Sequence, residues 1–91
     1  MLRDWWPPRR ARSAPLRARL YLKPDCGLCE EALTLLRPFE HERRILLERV
    51  DITADRALFQ RYCLSIPVLE VGGGPRLEWP FTRSDLRRVL A

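Results

Sequence analysis

"YLKPDCGLCEEAL", residues 21–33, decides how this chain is read. Two cysteines, Cys26 and Cys29, stand three positions apart between an apolar run and an amphipathic one. Two thiols at this spacing serve as metal ligands, as a structural disulfide or as an electron shuttle. Upstream, Leu16, Ala18, Leu20 and Leu22 alternate with Arg17, Arg19 and Tyr21, a strand period that Pro24 and Asp25 stop. Downstream, Leu28, Ala32, Leu35 and Leu36 fall at helical spacing, with Glu30, Glu31 and Arg37 on the other side. Pro38 predicts the end of that helix near Arg37. The pair therefore sits where a strand ends and a helix opens. Unpaired backbone N–H groups and the positive end of the helix dipole stabilise a thiolate there. A stabilised thiolate means a lowered pKa and a thiol reactive at neutral pH. Cys29 lies one turn further in, on the face of Cys26 and close enough to bond to it. Lys23 favours the thiolate and Asp25 opposes it.

The rest of the chain supplies an order of elements. "RRILLERVDI", with Ile45, Leu46, Leu47, Val50 and Ile52, predicts a mostly buried strand of a parallel pair. "TADRALFQRY" reads as a short helix capped by Thr53, with Asp55 in its first turn. "IPVLEV", "GGGP" and "RLEW" read as strand, turn and strand, a hairpin. In "TRSDLRRVL", Thr82 and Asp85 have the spacing of a capping box ahead of Leu86, Val89 and Leu90. The order is β-α-β-α-β-β-α, an α/β class, and a right-handed crossover makes the first two strands parallel. Pro67, which donates nothing to a ladder, belongs at a strand start.

Charge excludes one function class. The net charge is +5 over 91 residues, yet residues 1–19 carry six arginines against one aspartate and the remainder carries 11 bases and 11 acids. No basic face built for phosphates is expected, hence no nucleic-acid partner. Residues 1–15, with three prolines, Trp5 and Trp6 and four arginines, read as a flexible basic tail, and 16–91 as one domain. A sticky or targeting arm is the sharper reading of the same stretch. No apolar run approaches a membrane span and no secretory h-region is present, so the cytosol is the default compartment, where stable disulfides are rare. A monomer is expected.

Taken together, "DCGLC", "VDIT", "YCLSIPVL" and "LEWPF" resemble the glutaredoxin-like branch of the thioredoxin superfamily, in particular a group of small proteins with D-C-x-L-C near the start and W-P-F before the last helix. The resemblance covers all but the tail. It implies a thioredoxin fold, a four-stranded mixed sheet with helices on both faces, and thiol–disulfide exchange with a disulfide-containing protein or a low-molecular-weight thiol. It also implies that Cys26 attacks, Cys29 resolves, and Pro67 is a cis-proline turning the Ile66 backbone toward the cysteine loop. Lys23 matches a lysine that glutaredoxins use to meet a glutathione carboxylate. The chain departs from typical glutaredoxins in having C-G-L-C rather than C-P-Y-C, Ser65-Ile66-Pro67 rather than Thr-Val-Pro, and "WPFTRSD" where they carry Gly-Gly and an acidic pair. Those departures leave glutathione in doubt as ligand and as reductant, and no bound cofactor is expected.

Other readings stay beside this one. Half a zinc site would need further soft ligands, and only Cys63 and His41 remain, neither in a second paired knuckle. "CGLC" also resembles the C-G-F-S of cluster-binding glutaredoxins, and a non-catalytic module binding a peptide along the Pro67 strand needs no turnover. Cys63 reads as a small filler at a helix end, His41 as a surface residue, and Trp79 and Phe81 as core. Asp51 reads as a turn residue, with a proton acceptor for Cys29 as the alternative.

Overall fold

The alternation that opens the sequence puts β1 (Leu16–Leu22) in the interior of a four-stranded sheet. The computed structural model describes residues 14–90. The expected tail at 1–15 lies almost wholly outside those residues. Around β1 come α1 (Gly27–His41), β2 (Ile45–Asp51), a single 3-10 turn at Ile52–Ala54, α2 (Arg56–Tyr62), β3 (Val68–Val71), β4 (Arg76–Glu78) and α3 (Arg83–Val89). β1 runs parallel to β2 and antiparallel to β3, and β4 pairs antiparallel with β3. This is the expected mixed four-stranded α/β architecture.

One face of the sheet is closed by leucines. Ala18 and Leu20 of β1, Ile45 of β2, and Leu69 and Val71 of β3 meet Ala32, Leu36 and Phe39 of α1 and Leu86 of α3 in one buried cluster. Each leucine taken fully out of water contributes roughly 1.5–3 kcal/mol. The other face is covered near the C-terminal end of β1, where Tyr21 and Val68 pack with Ile52 and Tyr62. Tyr21 and Tyr62 stack with ring centroids 4.4 Å apart, which seats the end of α2 on the sheet. The β3–β4 turn needs Gly72 and Gly73 at φ 52° and 73°, a region that costs a side-chain-bearing residue energy.

Four expectations fail, each for a local reason. α1 does not stop before Pro38 but runs to His41, because Phe39 is buried in the core and Glu42 N–H and Arg44 N–H donate to the Pro38 and Phe39 carbonyls. Leu28, expected on the buried stripe, is exposed, and Cys29 takes that place. β2 is an edge strand rather than a mostly buried one, with Leu46 exposed at 57% and Leu47 and Val50 half-buried. Thr53 does not cap α2. The Asp55 carboxylate does, accepting from Leu58 N–H at 3.0 Å, while Asp51 caps the 3-10 turn before it.

The capping box at α3 forms as expected. Asp85 N–H donates to Thr82 Oγ1 at 3.1 Å and Thr82 N–H donates to the Asp85 carboxylate at 2.9 Å. The bond from Thr82 N–H holds the Asp85 carboxyl below its ordinary range, with the Arg88 guanidinium and then the Thr82 hydroxyl adding to the effect.

Candidate active site

The dithiol is built by the junction between β1 and α1. Asp25 adopts a left-handed backbone at φ 56°, which turns the chain out of β1 and into the helix. Cys26 then takes the cap position, with extended φ −119° and ψ 106°, and its Sγ accepts from Cys29 N–H at 3.2 Å. A sulfur in a helix cap is held against the orphan donors of the first turn, the surroundings that favour a negative charge. The Cys26 and Cys29 sulfurs are bonded, with Cα atoms 5.2 Å apart. Their exposures differ. Cys26 is half-buried, whereas Cys29 is 1% exposed beneath the first turn. An incoming group therefore reaches Cys26 first. Leu28, between them, is 48% exposed and borders the pair.

Register brings Pro67 to the same end of the sheet. Tyr21 pairs with Val68, so Pro67 stands one position on, level with Leu22, and Leu22 pairs with Asp51. The cysteines follow Leu22 by four and seven residues. Pro67 is buried and its carbonyl accepts from Trp79 N–H at 3.1 Å, which ties the start of β3 to the end of β4. The Ile66–Pro67 and Trp79–Pro80 peptide bonds are cis. Ile66 is half-buried against the Tyr21–Tyr62 cluster. Phe81 is buried in the main core, with Trp79 packed partly beside it at a T-shaped 5.0 Å.

The other sequence candidates fall into place around this end or away from it. Lys23 is exposed just after β1 and makes no ion pair among the described residues. Asp51 accepts from both Thr53 N–H and Thr53 Oγ1, at 2.8 and 2.6 Å, which lowers its pKa and keeps it an anion. That is the turn role, with the carboxylate's bonds spent on Thr53. Cys63 closes α2, half-buried beside the Tyr21–Tyr62 cluster. His41 is exposed in the last turn of α1. Among the described residues no group of three or more His, Cys, Asp or Glu side chains could hold a metal ion. A concavity of about 670 Å³ lies toward the other end of β1, bordered by Arg17, Leu46, Glu48, Glu70 and Gly72, with none of the dithiol residues in its wall.

Sequence reasoning missed two features of this end. The buried Tyr21, whose phenol is pushed up by burial and by donating to Glu70 at 2.9 Å, anchors the segment that leads to Pro67. An aromatic at a position of β1 otherwise occupied by arginines was the available signal. Leu64, fully outside the apolar clusters and 98% exposed, left no periodic signal at all.

Comparison with known proteins agrees with this geometry. A family model described as a glutaredoxin-like domain (DUF836) matches residues 17–91. The X-ray structure of a structural-genomics target protein from X. campestris is 37% identical, with a TM-score of 0.69, covering 80% of this chain and 93% of its own. The solution structure of a protein from Nitrosomonas europaea, 24% identical, shares the fold at a TM-score of 0.71 over 85% of this chain and 93% of its own. Thioredoxin-2 of the malaria parasite, 18% identical, shares it at 0.63 over 84% of this chain and 81% of its own. With the family model spanning most of its length, the chain belongs to the glutaredoxin-like domain family, on a thioredoxin-like fold.

Proposed function

We propose that the protein is a thiol–disulfide oxidoreductase working through the Cys26/Cys29 pair. The observation that carries the reading is the cap itself: the more accessible sulfur occupies the first turn of α1 with a backbone N–H aimed at it, and a buried second sulfur is bonded to it. In the reduced protein Cys26 acts as the nucleophile. Its thiolate attacks one sulfur of a partner disulfide, a mixed disulfide forms, and the other partner sulfur leaves as a thiolate that takes a proton. Cys29, deprotonated, then attacks Cys26 Sγ. The partner's second sulfur leaves in turn, and the protein is left as the Cys26–Cys29 disulfide, two electrons having passed to the partner. A dithiol reductant restores the starting state.

Pro67 and Ile66 border the partner's approach, as the shared sheet end supports. Lys23, exposed three residues before Cys26 and without an ion pair among the described residues, supplies a cation beside the site. The segment "WPFTRSD" spends its acidic side chain on the α3 capping box, where the Asp85 carboxylate is bonded to Thr82 N–H and to Arg88. A glutathione amine finds no free acidic pair there, so glutathione is a poor ligand and reductant in this reading. The working compartment is a reducing one, the cytosol.

Trapping tests the reading. Cys29→Ser should accumulate a mixed disulfide with a disulfide-bonded substrate, visible as a mass increase that a reductant removes. Cys26→Ser should form none, and Cys63→Ser should turn over normally. Free turnover by Cys26→Ser would end the assignment.

A further inference from the structure

The exchange chemistry gives Tyr21 no role, yet this one side chain holds both ends of the segment that carries Ile66 and Pro67. Tyr21 is buried near the end of β1, five residues before Cys26. Its ring stacks on Tyr62, with centroids 4.4 Å apart and planes 21° from parallel. Tyr62 ends α2, and its carbonyl accepts from Ser65 N–H at 2.8 Å and from Ile66 N–H at 3.1 Å. The segment thus leaves from a residue seated on Tyr21. It also returns to Tyr21, because Val68, directly after Pro67, pairs with Tyr21 across the sheet and packs in the same cluster as Ile66. The Tyr21 hydroxyl then donates to Glu70 Oε1 at 2.9 Å, two residues further along β3. A side chain of the strand that leads into Cys26 therefore clamps the segment at its start, through the ring, and beyond its return, through the hydroxyl. An aliphatic residue would fill part of the same volume but would supply neither the ring stack nor the bond.

We infer that Tyr21 is a positioning residue of the exchange site: its stack on Tyr62 sets where Ile66 and Pro67 stand relative to Cys26. The inference rests on the exchange reading above. Tyr21 belongs to the cluster under α2, whereas α1 and its cap rest on the other face of the sheet. Tyr21 therefore acts on the segment that receives the partner and leaves the Cys26 thiol as it is. The stack is the working part, because it seats the residue whose carbonyl holds Ile66, while the hydroxyl bond reaches β3 beyond the segment.

The experiment uses insulin as the disulfide substrate under a dithiol reductant, with Tyr21→Leu to break the stack and Tyr21→Phe to keep it. For Tyr21→Leu, kcat/KM should fall about tenfold, through a higher KM rather than a lower kcat. Mere loss of stability moves the other parameter, since it removes folded molecules, lowers apparent kcat and leaves KM alone. Leu86→Ala, which opens the core beneath α3, supplies that control. Iodoacetamide should alkylate Cys26 of reduced Tyr21→Leu at the wild-type rate. Tyr21→Phe should stay within about twofold of the wild type on insulin. Tyr62→Leu breaks the same stack from the α2 side, should reproduce the rise in KM, and stands in if Tyr21→Leu does not fold. An unchanged KM in the stack-breaking variants, an equal rise in Leu86→Ala, slowed alkylation of Cys26, or a Tyr21→Phe as impaired as Tyr21→Leu would each overturn the inference and leave the exchange reading in place. A wild-type protein unable to reduce insulin would remove the inference, and failure on hydroxyethyl disulfide as well would remove the exchange reading too.

Discussion

On the face that carries α1 and α3, the strands present Ala18, Leu20, Ile45, Leu69 and Val71 to the helices; among the described residues no charged side chain is buried there, and Arg49 of β2 meets Glu40 of α1 in the open at 3.4 Å. The opposite face packs apolar side chains against a helix near Tyr21, Val50 and Val68, where α2 sits, and leaves Leu46 exposed. Beyond that it is closed by charge. Register places Glu48, Arg19, Glu70 and Arg76 in one row across the four strands, alternating in sign. Arg19 meets Glu48 at 3.1 Å and Arg76 approaches Glu70 at 3.8 Å. The row satisfies the exposed part of the sheet without a fourth helix. The two faces also differ in what they do for the dithiol. The leucine face fixes α1, and with it the cap that holds Cys26. The second face fixes α2 and the turn that leads through Ile66 to Pro67 at the same end.

The comparison breaks if the two faces prove energetically alike. Leu36, fully buried on the first face, should show the larger effect. Leu36→Ala should cost about 2–5 kcal/mol in denaturant unfolding, since the vacated space cannot fully close. A cost below about 0.8 kcal/mol, the contribution of a single buried methylene group, would mean that the leucine face is not what holds α1. At the other extreme stands Arg19→Ala. Arg19 is exposed and its partner Glu48 equally so, and water and salt screen such a pair. The unfolding midpoint should not move measurably. A clear loss, absent at high salt, would show that the charge row is a cooperative network and sharpen the account of the second face.

Much of this was legible in the sequence because it is local. The strand period of β1, the cysteine pair at a helix start, the Gly-rich hairpin and the Thr82–Asp85 box each depend on neighbours within a few residues. What was not legible depends on distant partners. Pro38 looks like a stop until the burial of Phe39 against β-strand residues is known. β2 reads as buried because its apolar residues are consecutive, and nothing within "ILLERVD" says that the sheet ends there. The row from Glu48 to Arg76 spans four strands and appears only once their register is set. At the site itself, Cys26 and Cys29 were readable from spacing, while the exposure of Leu28 in place of Cys29 turns on the rotation of α1 against the sheet.

The central claim is that the cap of α1 makes Cys26 the reactive thiol. Alkylation of the fully reduced protein with iodoacetamide across pH, with each modified cysteine located by peptide mapping, tests it most directly. Cys26 should react first at neutral pH, with an apparent pKa below the free-thiol value of about 8.5. The buried Cys29 should lag behind it, and Cys63, half-buried at the end of α2, should not be modified ahead of Cys26. Cys29 or Cys63 modified ahead of Cys26, or a Cys26 that titrates no lower than a free thiol, would contradict the account.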